Sequence, residues 1–209
     1  MSTIVEAEVE IEAGPIGLAS AGVLMTPEEF DAIEEYDELY RYELIHGVLV
    51  VTPVPLEEEA NPNETLGVLL GIYKRQHPLG SALDHTLPER YVYLPESRRR
   101  PDRVIWAGLG RYPNSRVDVP TIAVEFVSAG KRNYQRDYVL KRAEYRELGI
   151  AEYWIVDRFR RTMTVHRNRP EVAEIVVKEG EVYETPQLPG FVLPLSELLE
   201  AADAGRLPA

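Results

Sequence analysis

A glutamate sits inside the apolar run Val119-Pro-Thr-Ile-Ala-Val-Glu-Phe-Val127. An ionised carboxylate loses several kcal/mol or more on desolvation unless a cation or hydrogen bonds meet it. The run reads as a strand, so the fold must bring Glu125 a partner from elsewhere in the chain. Strand alternation puts Thr121, Ala123, Glu125 and Val127 on one face, where the small neighbours leave room for an ion. A buried salt bridge to an arginine such as Arg103 is the plainer reading of Glu125.

Two other residues have the chemistry to meet it. Asp102 opens a second strand-like run, Pro101-Asp-Arg-Val-Ile-Trp106. Lys141 lies on a helical stripe of Tyr134, Tyr138, Lys141, Tyr145 and Leu148, spaced 4, 3, 4 and 3. At helical periodicity these residues share one narrow face, so Lys141 belongs to the buried side, and Asp137 leans the same way. Neighbouring strands would let Asp102 and Glu125 share one hard divalent cation, Mg²⁺ or Mn²⁺. Two carboxylates and a lysine are the parts of a metal-dependent phosphodiesterase centre. Asp102 can also be read as a turn residue after proline, and Lys141 as a side chain that snorkels to solvent.

The chain has 209 residues and no cysteine, which excludes disulfides, thiolate zinc and a cysteine nucleophile. Its four histidines, His46, His77, His85 and His166, share no metal spacing. No serine sits in a nucleophile elbow. No run approaches the roughly 20 apolar residues of a membrane span, and the first 25 residues do not read as a signal peptide. A cytoplasmic protein is expected.

Net charge is −12, which argues against a nucleic-acid partner until its distribution is read. Residues 1–64 hold 16 acids and one base; residues 90–169 hold 18 bases and nine acids. DNA is therefore expected to approach over Arg98, Arg99, Arg100, Arg132 and the Arg158–Arg161 turn. Solvated charged faces are the alternative.

Residues 1–22 read as a flexible acidic arm, with an edge strand near residues 4–11 as an alternative. Residues 23–209 read as one domain. Thr26-Pro27-Glu28-Glu29 starts a helix expected to reach about Tyr36. Residues 42–52 form a hairpin hinged at His46-Gly47. Helical spacing runs from Asn63 to His77 and from Tyr134 to Leu148, where Gly149 caps. Short strands are expected near 83–86, 90–94, 103–106, 121–127, 152–157, 162–166, 172–178 and 181–185, with a helix over 195–203. That order implies an α/β (α+β) fold around one mixed central sheet flanked by helices.

Several blocks together carry a resemblance. They are Tyr42-Glu-Leu-Ile-His-Gly-Val-Leu-Val50, Pro101-Asp102, Ala123-Val-Glu-Phe-Val-Ser128, Arg136-Asp137 with Lys141 and Tyr145, and Glu152-Tyr-Trp-Ile-Val-Asp157. In order and spacing they resemble the Uma-two (DUF820-like) family of restriction-endonuclease-type proteins, within the PD-(D/E)xK nuclease superfamily. The superfamily's usual lysine, two residues after the acid, falls here on Val127; in this branch the lysine lies on the following helix, as Lys141 does. The resemblance implies a restriction-endonuclease-like fold and DNA hydrolysis, with Asp102 and Glu125 as metal ligands, Lys141 as the lysine and Glu43 as a further acid. Many members carry histidine where this chain has Asn63, so a role for that histidine does not transfer. A nuclease fold retained only for binding is the competing reading. Duplex cleavage needs two sites, so a homodimer is expected, with the acidic arm of one protomer on the basic segment of the other.

Overall fold

The computed structural model describes residues 15–128, 140–169 and 174–205. The edge strand near residues 4–11, Arg132, Asp137 and the tyrosines at 134 and 138 lie outside them. Residues 16–25, by contrast, are built onto the domain: Ile16 bridges Tyr36, and the Gly22 amide donates to the Leu49 carbonyl at 2.8 Å.

The first helix, α1 (Pro27–Asp31), begins as its capping box dictates: the Thr26 hydroxyl accepts from the Glu29 amide, and the Glu29 carboxylate accepts from the Thr26 amide. It stops five residues short of Tyr36. There the Ile16–Tyr36 bridge and the Asp37 amide bond to the Ile16 carbonyl set an extended path, and tertiary pairing overrides helix propensity. The hairpin follows as β1 (Tyr40–Ile45) and β2 (Val48–Pro53). His46 and Gly47 both have positive φ, 48° and 77°, as a two-residue primed turn requires.

The second helix, α2 (Glu57–Gln76), begins six residues before the apolar periodicity does. Glu57, Glu58 and Glu59 in its first turn complement the helix dipole, and Pro62 sits inside it. Next come β3 (Leu83–Pro88), β4 (Val92–Tyr93), β5 (Arg98–Arg99), β6 (Arg103–Ala107) and β7 (Ile122–Phe126). The chain continues through α3 (Lys141–Leu148), β8 (Glu152–Asp157), β9 (Thr162–Arg167), β10 (Glu174–Lys178), β11 (Val182–Glu184), β12 (Val192–Pro194) and α4 (Leu195–Ala204).

The described residues contain the expected mixed central sheet and two smaller sheets beside it. The main sheet runs β10-β9-β8-β7-β6-β3, with β7 and β8 parallel and the other pairs antiparallel. A second sheet runs β2-β1-β5-β4, and β11 pairs β12. The hairpin pairs with Arg98–Arg99, a segment whose arginines gave no strand signal, and this draws it away from the main sheet.

Alternation on the main sheet separates two cores. Ile122, Val124 and Phe126 pack with Leu66 and Leu70 of α2 and Leu198 and Leu199 of α4. Ala123 and Val127 pack on the other face with Val104, Trp106, Tyr145 and Ile155. Glu125 shares the parity of Ala123 and Val127, so it belongs to the α3 side.

Candidate active site

The register of β6 on β7 pairs Arg103 with Val124. Asp102 directly precedes β6, at the point where that strand begins to pair with β7. The Asp102 side chain is tied to β7 directly. Its Oδ2 accepts the Phe126 amide at 2.7 Å, and its Oδ1 accepts from Arg41 Nη2 at 2.9 Å.

Lys141, the first residue of α3, has 1% of its surface exposed. It does not snorkel. Its ammonium lies 2.6 Å from Glu125 Oε1 and 3.3 Å from Glu43 Oε1. Glu43, buried in the middle of β1, also accepts the Arg100 amide at 2.8 Å. Glu43, Glu125 and Lys141 therefore form one buried cluster, to which each of three separate elements contributes a residue. Arg103, the plainer candidate for Glu125's counterion, shares the opposite parity. It donates to Asn63 Oδ1 at 2.7 Å and to the Asn63 carbonyl at 2.9 Å.

Asn63 passes that restraint on. Its Nδ2 donates to the Asp102 carbonyl at 2.8 Å, so α2 holds the start of β6 from behind. Gly67 makes the approach possible, since a Cβ there would lie 2.7 Å from Arg103 Nη2. One turn before Asn63, Glu59 is buried. Burial raises its carboxyl above the ordinary glutamate range and the Asp102 charge adds to this, while a Ser128 hydrogen bond and Arg158 pull it back. Glu59, Asn63, Glu89 and Asp102 line a cavity of about 280 Å³. Arg41 is held charged: burial opposes its charge, but Asp102 and Glu89 outweigh that.

Glu59, Arg41 and Tyr145 are site neighbours that sequence reasoning did not single out for roles. Pro62 hid the early start of α2, and with it the one-turn spacing from Glu59 to Asn63. The Tyr145 hydroxyl is buried and has no hydrogen-bond partner among the described residues. Burial, then the charges of Glu125 and Glu43, push its phenol well above the usual range, so it stays protonated.

Among the described residues, no group of three or more acids, histidines or cysteines forms a metal cage. The oxygens of Asp102 and Glu125 suit a hard cation that keeps several waters. Mg²⁺ is such an ion, commonly held by one or two carboxylates.

The basic segment is not the free cationic surface that its composition suggested. Arg98 is paired with Asp31 at 2.8 Å, and Arg99, fully buried, with Glu144 at 2.6 Å. Arg100 is paired with Glu89 at 2.9 Å, Arg158 with Glu58, and Arg161 with Glu179 and Asp203. Asp31, Glu43 and Glu58 come from the acidic N-terminal third. These three acids meet bases of the later segment within one chain.

The scaffold that holds these residues is an α+β fold with a mixed six-stranded sheet flanked by helices. The family model Uma2, described as "Putative restriction endonuclease", matches residues 27–196, and the chain belongs to that family. The crystal structure of a putative nuclease belonging to DUF820 from Anabaena variabilis ATCC 29413 is similar, with a TM-score of 0.66 and 17% identity. The match covers 85% of this chain and 99% of that one. No curated protein matches the chain. Among the described residues, no helix is long and apolar enough to cross a membrane.

Proposed function

We propose that the protein is a cytoplasmic, metal-dependent endonuclease that hydrolyses DNA phosphodiester bonds. In this reading Asp102 and Glu125 hold Mg²⁺ or Mn²⁺, and Lys141 and Glu43 complete the centre. The observation that carries it is the buried Lys141–Glu125 contact at 2.6 Å, with the Asp102 carboxylate bonded to the amide of Phe126, the residue after Glu125.

A bound ion would lower the pKa of a water and offset charge on the phosphate. The chain's own residues supply placement. The Phe126 amide and Arg41 fix the Asp102 carboxylate, while Asn63 and Arg103 fix its backbone. Glu43 holds the Lys141 ammonium beside Glu125, and that positive charge favours the negative charge developing on an attacked phosphate. Lys141 and Arg41 also place positive charge among the acids, which offsets repulsion between them. Cutting both strands of a duplex takes two such centres, which a homodimer supplies; one suffices for a single strand.

The competing reading is a binding module in which Lys141, Glu125 and Glu43 are only a buried ion-pair network. Calorimetric titration with Mn²⁺ separates the two. The wild-type protein should take up the ion, and Glu125→Gln and Asp102→Asn should each lose most of that affinity. A wild type that takes up no ion, or variants that bind it equally well, would defeat the proposal.

A further inference from the structure

A larger cavity, of about 600 Å³, opens beside the site over the second sheet. Five tyrosines line it: Tyr36, Tyr40, Tyr42, Tyr91 and Tyr93. The rings are braced by edge contacts, with Phe30 against Tyr91 at 5.6 Å and Tyr36 against Tyr42 at 5.8 Å. Arg100 lies over the Tyr91 ring at 5.7 Å and Arg98 over the Tyr93 ring at 4.9 Å. Tyr36 is nevertheless 52% exposed, so ring surface remains open at the mouth.

The charges at this cavity divide into two groups. Of its carboxylates, Asp31 is held by Arg98, and Glu89 by Arg41 and Arg100; Glu38 is exposed. Arg90 and Arg116 also line it and are exposed, and neither has an ion pair among the described residues. They differ in this from Arg98, Arg99, Arg100, Arg158 and Arg161. The cavity also adjoins the candidate active site. Arg41 lines it and donates to Asp102, and Glu89 lines both it and the smaller cavity that contains Asp102.

Every nucleobase has a π-face that stacks on a tyrosine, and arginines beside such rings meet the flanking phosphates. A base inside a duplex has both faces covered and cannot enter a recess of this kind without leaving the stack. We infer that the tyrosine-lined cavity receives an unpaired base, so that the substrate strand is single-stranded DNA, or a frayed or unpaired segment, at the site. This rests on the nuclease reading for its placement beside the scissile bond, but the binding it describes needs neither metal nor cleavage.

The test is fluorescence anisotropy with the full chain in EDTA, comparing a labelled oligothymidine strand with a blunt hairpin duplex of equal charge. The single strand should bind at least about tenfold more tightly. Tyr36→Ala and Tyr40→Ala should each weaken it about fivefold or more, while Tyr36→Phe, which keeps the ring, binds as the wild type does. Circular dichroism melting confirms that each variant is folded. Equal affinity for strand and hairpin, or folded alanine variants that bind as the wild type does, would overturn the inference. The two proposals fail separately. Ring-dependent strand binding with no cleavage in Mg²⁺ or Mn²⁺ keeps this inference and removes the nuclease reading. Ring-independent binding with metal-dependent cleavage does the reverse.

Discussion

Replacing Lys141 with methionine is expected to cost stability before it reports on catalysis. The ammonium is almost fully buried between Glu125 at 2.6 Å and Glu43 at 3.3 Å. Methionine fills a similar volume but leaves two carboxylates near each other without that cation. Removing one partner of a buried pair costs about 3–5 kcal/mol, against less than about 1 kcal/mol for a solvent-exposed pair. In a chain of this size that corresponds to a melting-temperature loss of about 6–20 °C. Urea unfolding followed by circular dichroism measures this. Adding Glu125→Leu to Lys141→Met should recover part of the loss, because an apolar pair can replace a buried ion pair at little cost. A deficit under about 1 kcal/mol would refute the buried-cluster reasoning.

Other perturbations probe the surroundings. Burial, then the nearby Arg142 charge, lower the His166 pKa to about 4, with Glu174 opposing. The unfolded imidazole protonates near 6.5, so folding stability should fall as pH drops from about 6.5 to 4, by roughly 2 kcal/mol after allowing for partial solvent access. His166→Phe should flatten that part of the stability profile; an unchanged profile would count against a buried neutral imidazole. Arg99→Met should destabilise by about 3–5 kcal/mol in urea unfolding, because Glu144 loses a fully buried partner. A variant as stable as the wild type would return Arg99 to the role of a surface cation. Exchanging both Arg90 and Arg116 for glutamine should reduce the salt slope of single-strand binding by about 1.4. An unchanged slope would mean that phosphates lie elsewhere.

The candidate site was partly legible because its signals are local. A charge inside an apolar strand and a lysine on a tyrosine stripe are visible at periods of two and 3.6 residues. The structure brings Lys141 to Glu125 and Glu43, and ties the Asp102 carboxylate to the Phe126 amide next to Glu125. What stayed hidden depends on distant partners. Arg98 and Arg99 read as a cationic surface because Asp31 and Glu144 lie 67 and 45 positions away. Glu59 was missed for a local reason, since Pro62 resembles a helix breaker, yet α2 runs through it to pack on α4. The helix beginning at Pro27 was overestimated because Ile16, earlier in the chain, takes Tyr36 into a bridge. The mixed central sheet was legible, whereas the second sheet was not, because two arginines act as the strand that draws the hairpin aside.

The most direct measurement is cleavage of an end-labelled single-stranded oligonucleotide with Mg²⁺ or Mn²⁺, comparing the wild type with Asp102→Asn, Glu125→Gln and Lys141→Arg. The wild type should cut only when the metal is present. Both carboxamide variants should lose at least about a hundredfold in rate, because removing one group that stabilises transition-state charge typically costs that much. Lys141→Arg, which keeps the charge but not the compact ammonium, should fall between them and the wild type. Metal-independent cleavage, or a Glu125→Gln protein as fast as the wild type, would contradict a phosphodiester-cleaving centre built on Asp102, Glu125 and Lys141.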